Sequence, residues 1–211
     1  MLRVKICGLV RELDVSFAVI AGADAVGFIV GFPSSMRNIT LEHAASLSRK
    51  VPPFVDAVLV TTAEMVTGEP GLKGGRFDAI QLYGGVPDTD AIRKATGARL
   101  IRAYPVKTED TAAAKAAATG FDAILTDTHV EGAAGGTGVP ADWNSCRSIK
   151  YAVAPLPLIL SGGLNASNVA AAVVKVHPFA VDVSSGVESA PGVKDPGKVM
   201  EFIKKAKESD W

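Results

Sequence analysis

Short runs of Val, Ile, Leu and Ala recur along the chain, and more polar stretches separate them. Most of these runs are apolar at nearly every position, which is typical of parallel strands covered on both faces. They divide the 211 residues into units of roughly 26 residues, the spacing of a compact barrel. The pattern predicts eight strands, at residues 2–7, 24–30, 54–60, 77–83, 98–104, 121–127, 156–162 and 179–185.

Helical periodicity follows most of the predicted strands. Apolar residues step by three and four positions within 10–20 and 169–176, as they do on the buried face of a helix. Gly22 and Gly97 stand where such helices would end before the next strand. Segment 67–77 is the exception, because "TGEPGLKGGRF" has the composition of a loop.

Repeated alternation of strand and helix predicts an α/β fold with a parallel sheet and right-handed crossovers. A closed (β/α)₈ TIM barrel and an open, doubly wound sheet both satisfy this alternation. We favour the barrel because the units are short and evenly spaced, and because the first turn, "CGLVRE", is not the GxGxxG turn of many open sheets. No linker interrupts the pattern, so residues 1–211 are predicted to form a single barrel domain.

Charge and cysteine content narrow the possible partners. The 22 basic and 22 acidic residues balance, which argues against nucleic acid or an anionic membrane and favours a small molecule. Cys7 and Cys146 lack the CxxC spacing of zinc and redox sites, and no His, Asp and Glu cluster has metal-ligand spacing, so no metal is predicted. With no apolar leader and no long apolar run, the protein is expected in the cytoplasm.

Glycine turns follow the last two predicted strands. In barrels, active sites lie at the carboxyl ends of the strands, and these two loops often hold a phosphate. "SGG" (161–163) and "SSG" (184–186) contain Gly162, Gly163 and Gly186, which would let backbone N–H groups approach phosphate oxygens. Ordinary turn chemistry explains one such turn more easily than two on adjacent strands. We therefore predict a phosphate site, with "GAAGGTG" (132–138) as a flexible cover.

A thiol and a carboxyl group end two strands that nearly face each other across the predicted barrel mouth. Cys7 closes the first strand and Asp127 the sixth, three steps apart around eight strands. Taken singly, Cys7 is typical of a packing residue and Asp127 of a helix cap. Together with the phosphate turns, they indicate a site where one group removes a proton and the other delivers one. Arg37, in a loop on the same face, is a candidate partner for a carboxylate.

Six motifs occur in order between Lys5 and Asp195: "KICG", "GFPSSMR", "QLYG", "DT…GGTG…DW", "LSGGL" and "DVSSGVE…PGVKD". Together they resemble the signature of the phosphoribosylanthranilate isomerase family. The resemblance implies a (β/α)₈ barrel that carries out an Amadori rearrangement in tryptophan biosynthesis. It converts the aminoaldose N-(5-phosphoribosyl)anthranilate into the corresponding aminoketose phosphate, with neither metal nor organic cofactor.

The resemblance also implies a role for each site residue. Cys7 would be the general base and Asp127 the general acid, while Arg37 would hold the anthranilate carboxylate. Tyr83 stands where the family usually has His, and it keeps a polar tip for contact with the substrate. The phosphate would lie against the two turns and the "GGTG" loop, that is, against Gly136, Gly162, Gly163, Ser184, Ser185 and Gly186.

This chemistry places requirements on two pKa values. Asp127 must be protonated before it can deliver a proton, so its pKa has to be raised by burial or by nearby negative charge. Cys7 would act as a thiolate, so its pKa has to be lowered, and Lys5 is a candidate cause. Asp182, on the eighth strand, is expected to point toward the same region and to orient the amine of the substrate.

Two other functions fit parts of the pattern. A dual-substrate phosphosugar isomerase, shared with histidine biosynthesis, would usually carry an acidic pair and phosphate sites on both barrel halves, whereas the first strand here supplies a cysteine. A non-catalytic phosphoribosyl-binding barrel would keep the glycine turns without needing Cys7 and Asp127. The sequence leaves open whether the protein is a monomer or a homodimer.

Overall fold

The computed structural model describes residues 1–68, 72, 75–85, 88–106, 110–128 and 141–209. Eight parallel strands close into a barrel, and each strand pairs with its sequence neighbours until the eighth pairs with the first. The predicted closed barrel is therefore confirmed, and the open sheet is wrong. Among the helices of the described residues, none has the length and apolar character needed to cross a membrane.

Strands and helices alternate through the described chain. The barrel strands are β1 Arg3–Ile6, β2 Ala25–Ile29, β3 Asp56–Thr62, β4 Ala79–Tyr83, β5 Arg99–Pro105, β6 Ala123–Asp127, β7 Leu158–Leu160 and β8 Ala180–Val183. The helices are α1 Glu12–Ile20, α2 Leu41–Ser48, α3 Ala63–Gly68, α4 Thr89–Thr96, α5 Thr111–Ala117, α6 Trp143–Val153, α7 Val169–Val176 and α8 Pro196–Glu208. After β8, a 3₁₀ turn at Ser185–Val187 leads into a small antiparallel hairpin, β9 Glu188–Ala190 and β10 Val193–Lys194.

The third unit differs from the sequence-based expectation in both its strand and its helix. β3 begins and ends two residues later than predicted, and the six-residue helix α3 follows it directly. The helix α3 ends at Gly68, so the first two residues of the predicted loop 67–77 belong to a helix. The glycine-rich composition of that segment gave no indication of the helix. The eighth strand ends at Val183, so Ser184 and Ser185 belong to the following turn rather than to the strand.

The barrel interior is built in layers, with alternate strands contributing to each layer. Small side chains fill the amino-terminal end: Ala25, Ala79, Ala123 and Ala180 come from the four even-numbered strands. Larger aliphatic side chains from the odd-numbered strands, among them Val58 and Ile101, share this apolar end. Polar residues two positions further along the same strands, such as Gln81 and Asp182, also point inward and face the opposite opening. The barrel interior is therefore apolar at the amino-terminal ends of the strands and polar at their carboxyl-terminal ends.

A repeated Asp-Ala-(Val/Ile) motif ties neighbouring strands together at the amino-terminal end. Asp24 accepts the backbone N–H of Val4 in β1 at 2.8 Å. Asp78 accepts that of Ala57 in β3 at 2.8 Å. Asp122 accepts the N–H of Leu100 in β5 at 2.7 Å. Each carboxylate lies just before an even-numbered strand and binds the preceding odd-numbered strand. The motif therefore fixes the register of these strand pairs at the end of the barrel that lies opposite the polar opening.

Candidate active site

The polar opening contains one pocket at the carboxyl ends of the strands. Cys7, directly after β1, and Asp127 at the end of β6 both line it. Most of the other predicted site residues line the same pocket: Arg37, Tyr83, Gly162, Gly163, Asp182, Ser184 and Ser185. Gly186 follows in the same turn but is not a lining residue, and Gly136 lies outside the described residues, as does the predicted cover 132–138.

Cys7 is held at the pocket floor by its neighbours in the chain and by β2. Its backbone N–H continues the β1–β8 ladder by donating to Val183 at 2.8 Å. The following Gly8 adopts a φ of +72°, and a Cβ there would lie 2.6 Å from Arg37 Cδ, so the turn leaves no room for a side chain. Gly27 leaves space beside the sulfur, because a Cβ at that position would lie 2.8 Å from Cys7 Sγ.

The thiol of Cys7 has a raised pKa, which contradicts the expectation of a lowered one. Burial is the main cause, because Cys7 is only 5% exposed and a thiolate loses solvation there. The ammonium group of Lys5 lowers the pKa, as expected, but does not offset the burial, and the charge of Asp182 raises it further. The sequence identified Lys5 as a cation near the thiol, but it could not show that burial would have the larger effect on the pKa of Cys7. The resting side chain is therefore a neutral thiol.

Asp127 has the raised pKa that the proposed chemistry requires. Burial lifts the pKa of this carboxyl to about 6, and the negative charge of Asp182 adds to the effect. Two hydrogen bonds act in the opposite direction, one from the hydroxyl of Tyr83 and one from the backbone N–H of Thr128. The distance from Tyr83 Oη to Asp127 Oδ2 is 2.9 Å. Near neutral pH the carboxyl group therefore exchanges readily between its two protonation states.

A buried polar cluster lies beneath these two groups. Lys5 Nζ donates to Asp182 Oδ1 at 2.8 Å and to Gln81 Oε1 at 3.0 Å. Ser161 Oγ donates to the other oxygen of Asp182 at 3.2 Å. Asp182 thus binds Lys5. Burial lowers the pKa of Lys5, but the attractions of Asp182 and Cys7 together outweigh that cost and hold the pKa above its ordinary value. Gln81 and Ser161 were not predicted as site residues, although each lies within two residues of one that was.

Arg37 is already paired with a carboxylate of the protein. Its Nε and Nη2 donate to the two oxygens of Glu188 at 2.8 and 2.6 Å. Lys194 Nζ donates to the same Glu188 at 2.7 Å and to the backbone oxygen of Ser184 at 3.0 Å. Glu188 and Lys194 lie on the hairpin after β8, so that hairpin positions both Arg37 and the Ser184 turn. Neither residue was predicted, although both stand inside the "DVSSGVE…PGVKD" motif.

The two glycine turns lie side by side at the pocket. Gly162 and Gly163 have φ values of +95° and +62°, which favour glycine. A Cβ on Gly162 would lie 2.8 Å from the backbone nitrogen of Thr128 after β6, and a Cβ on Gly186 would collide with the carbonyl oxygen of Leu164. The turns after β6, β7 and β8 therefore pack backbone against backbone. In the described part of the chain, no three His, Cys, Asp or Glu side chains are grouped closely enough to hold a metal ion.

Comparison with known proteins agrees with this geometry. Residues 4–205 match the family model described as N-(5'-phosphoribosyl)anthranilate (PRA) isomerase. The chain belongs to the PRA isomerase family. The curated PRA isomerase of Thiobacillus denitrificans is 44% identical, with 98% of each chain covered. The resemblance stated from the motifs, and with it the assignment to an isomerase family, is confirmed.

Two solved PRA isomerase structures share the barrel. One, described as mutually generated monomers of the dimeric enzyme from Thermotoga maritima, is 36% identical, with a TM-score of 0.81 over 99% of this chain and all of that one. Another, 37% identical with a TM-score of 0.80 over 99% and 100% of the two chains, is a complex with reduced 1-(o-carboxyphenylamino)-1-deoxyribulose 5-phosphate. That ligand carries a carboxylate at one end and a phosphate at the other.

Proposed function

We propose that this protein catalyses the Amadori rearrangement of N-(5-phosphoribosyl)anthranilate to 1-(2-carboxyphenylamino)-1-deoxyribulose 5-phosphate, a step of tryptophan biosynthesis. One observation carries the proposal. A thiol directly after β1 and a carboxyl group at the end of β6 line a single pocket, together with an arginine and two glycine turns. A substrate with a carboxylate, a sugar and a phosphate matches these groups in kind.

The first step is opening of the ribose ring, with Asp127 as the general acid. The nitrogen lone pair forms a C=N bond to C1, the bond from C1 to the ring oxygen breaks, and Asp127 donates its proton to that oxygen. A carboxyl group with a pKa of about 6 is a sufficiently populated acid near neutral pH, whereas an ordinary aspartic acid is almost fully ionised there.

The second step removes the proton from C2 of the iminium intermediate. Cys7 accepts that proton, and the C–H electron pair forms the C1=C2 bond while the electrons of the C=N bond return to nitrogen. The resulting enol then tautomerises to the ketone: a proton is added at C1 and the O–H proton at C2 is lost. Because burial raises the pKa of Cys7, its thiolate is a minor form, but a base with a raised pKa is also a stronger base. Lys5 stabilises that minor form.

The remaining site residues bind and orient the substrate in this proposal. Arg37 uses Nε and Nη2 for Glu188, which leaves Nη1 for the anthranilate carboxylate. The turns with Gly162, Gly163, Ser184, Ser185 and Gly186, joined by Gly136 of the "GGTG" loop, hold the phosphate through backbone N–H groups. Asp182, which lines the pocket, faces the amine of the substrate, and no cofactor takes part.

The test is the loss of fluorescence from freshly prepared phosphoribosylanthranilate when the protein is added. We expect turnover by the wild type, and its loss in both Cys7→Ala and Asp127→Asn while the reduced product analogue still binds. Cys146→Ala is the matched control, because Cys146 is fully buried in α6 away from the pocket and should leave turnover intact. Activity in both site variants would refute the acid–base assignment. A flat trace from folded wild type that binds the analogue would favour the non-catalytic barrel.

A further inference from the structure

A row of hydrogen bonds, buried at Lys5 and partly buried at Tyr83, joins Lys5 at the base of the pocket to Asp127 at its rim. Lys5 Nζ binds Gln81 Oε1 at 3.0 Å, Gln81 Nε2 binds Tyr83 Oη at 3.3 Å, and Tyr83 Oη binds Asp127 Oδ2 at 2.9 Å. Lys5 and Gln81 are almost completely buried. This row of four residues, which we call the Lys5–Asp127 row, crosses the barrel from β1 through β4 to β6.

The direction of every hydrogen bond in the row follows from the first one. The ammonium group of Lys5 can only donate, so the oxygen of Gln81 must accept. The amide nitrogen of Gln81 then faces Tyr83 and can only donate, which makes the phenol oxygen an acceptor at that contact. The single O–H of Tyr83 is left for Asp127 Oδ2. All donors therefore point from Lys5 toward the carboxyl group.

We propose that Gln81 and Tyr83 are positioning residues that aim a hydrogen-bond donor at Asp127 Oδ2 and thereby keep the transferable proton of Asp127 on Oδ1. In a protonated carboxyl group the carbonyl oxygen is a stronger acceptor than the hydroxyl oxygen, so the Tyr83 O–H at Oδ2 favours the acid proton on Oδ1. The consequence for catalysis rests on the proposed function, because only there does the proton of Asp127 have an acceptor. The arrangement of the row does not depend on it.

Packing fixes the orientation of the tyrosine. Its ring meets the edge of Phe32 in a T-shaped contact, with centroids 5.6 Å apart and planes at 81°. The hydroxyl therefore cannot swing away without losing that contact. Burial also raises the pKa of Tyr83 well above its ordinary value, so the group stays a neutral donor throughout the range in which Asp127 titrates.

Other groups also affect the pKa of Asp127, and the experiment must distinguish their effects from that of the Lys5–Asp127 row. Burial and Asp182 of β8 raise the pKa of Asp127, while Lys5 and the backbone N–H of Thr128 lower it. Tyr83 is the largest influence that lowers it. Removing the Tyr83 hydroxyl should therefore raise the pKa of Asp127, whereas loss of packing around the site would admit water and lower it.

The experiment is a titration of the whole protein labelled with aspartate enriched in ¹³C at Cγ, followed by NMR. Asp127→Asn identifies the resonance of Asp127 by its disappearance. Tyr83→Phe should raise the midpoint by about 1 to 2 pH units, because a hydrogen bond to a carboxylate is lost. Gln81→Leu should raise it by a smaller amount, since Tyr83 still donates but is no longer polarised. Gln81→Met serves the same purpose if the leucine variant folds poorly.

The double variant separates a connected row from independent contacts. If Gln81 acts through Tyr83, then Gln81→Leu adds no shift in the Tyr83→Phe background. Tyr104→Phe is the matched control, because the Tyr104 hydroxyl contacts the backbone of Asp110 outside the pocket, and we expect no shift. An unchanged or lowered midpoint in Tyr83→Phe, or additive shifts in the double variant, would overturn the proposal. Turnover of phosphoribosylanthranilate is measured in the same samples, so a failed function and a failed row give different results.

Discussion

At the scale of single residues, the thiol of Cys7 shows how two opposing effects set the behaviour of one group. Lys5, two residues before Cys7 on the same inward face, attracts a thiolate. Burial at 5% exposure is nevertheless the larger effect and raises the pKa of the thiol. The free protein therefore holds a neutral thiol beside a charged ammonium group. Burial opposes formation of the thiolate, which is the form that acts as a base.

Alkylation by iodoacetamide measures this balance directly. We expect the rate of Cys7 labelling to rise with pH, with a midpoint above the ~8.5 of an ordinary thiol, because only the thiolate reacts. Lys5→Met should move the midpoint further up, since it removes the stabilising cation and leaves the charge of Asp182 unpaired. The labelled peptide is quantified by mass spectrometry.

Cys7→Ser is the control for that measurement. The remaining Cys146 is fully buried with a pKa of about 11, so it should label slowly at every pH tested. A Cys7 midpoint below 8.5 in the wild type would mean that Lys5 outweighs burial, contrary to the structure.

The residues of the site were only partly accessible to sequence reasoning. Cys7, Asp127 and Arg37 could be found because each stands at a strand end or in a rim loop, where topology alone assigns a face. Glu188 could not be found in this way, because its contact with Arg37 spans 151 positions and depends on a hairpin folding back over the barrel mouth. The direction of the Cys7 pKa shift was equally out of reach, since burial is a property of the closed barrel.

At the scale of elements, the turns after β7 and β8 behave as one unit. Gly186 faces the carbonyl oxygen of Leu164, with no space for a side chain between the two turns. The hairpin β9–β10 continues from the same turn and supplies Lys194 to the backbone of Ser184. A change in one turn therefore moves the other, together with any phosphate bound between them.

Gly186→Ala tests that coupling. The added methyl group should push the turns apart, raise KM by at least tenfold with a smaller effect on kcat, and lower the free energy of unfolding by about 1 to 3 kcal/mol, as overpacking does. Steady-state kinetics and urea unfolding provide the two measurements. Gly85→Ala is the control, because a Cβ there meets no atom within 4 Å and should change neither quantity. Unchanged KM in Gly186→Ala would show that the turns move independently.

At the scale of the whole molecule, binding chemistry and stabilising contacts occupy opposite ends of the barrel. Barrels commonly divide their two faces in this way. The pocket lies at the carboxyl ends of the strands, while the Asp-Ala-(Val/Ile) motifs tie neighbouring strands at the amino ends. The sequence displayed those motifs, yet their hydrogen bonds cross between strands and became visible only in the closed barrel. The fold could be predicted because the periodicity of its strands and helices is local in the sequence. The hydrogen bonds of these motifs join residues about 20 positions apart, so they could not be predicted in the same way.

Asp122→Ala tests whether the amino-terminal end serves stability alone. The carboxylate accepts the Leu100 N–H and pairs with Arg93 at 2.8 Å, and these contacts, opposed by burial, hold the pKa of Asp122 below its ordinary value. Such a group stabilises the fold above the ~3.9 of an unfolded aspartate, and the contribution is lost as the pH falls through the folded pKa. We expect a loss of about 1 kcal/mol at pH 7 for this half-exposed group, with kcat/KM unchanged.

The pH dependence distinguishes this tie from a general packing defect. The difference in melting temperature between Asp122→Ala and the wild type should be largest near pH 7 and should shrink below about pH 4, as first the unfolded chain and then, at lower pH, the folded carboxylate becomes protonated. Asp90→Ala, on the exposed surface of α4, is the control and should change the melting temperature little at any pH. A difference that persists unchanged into acid, or a fall in kcat/KM, would show that Asp122 does more than join β5 to β6, and that the two ends of the barrel are not independent.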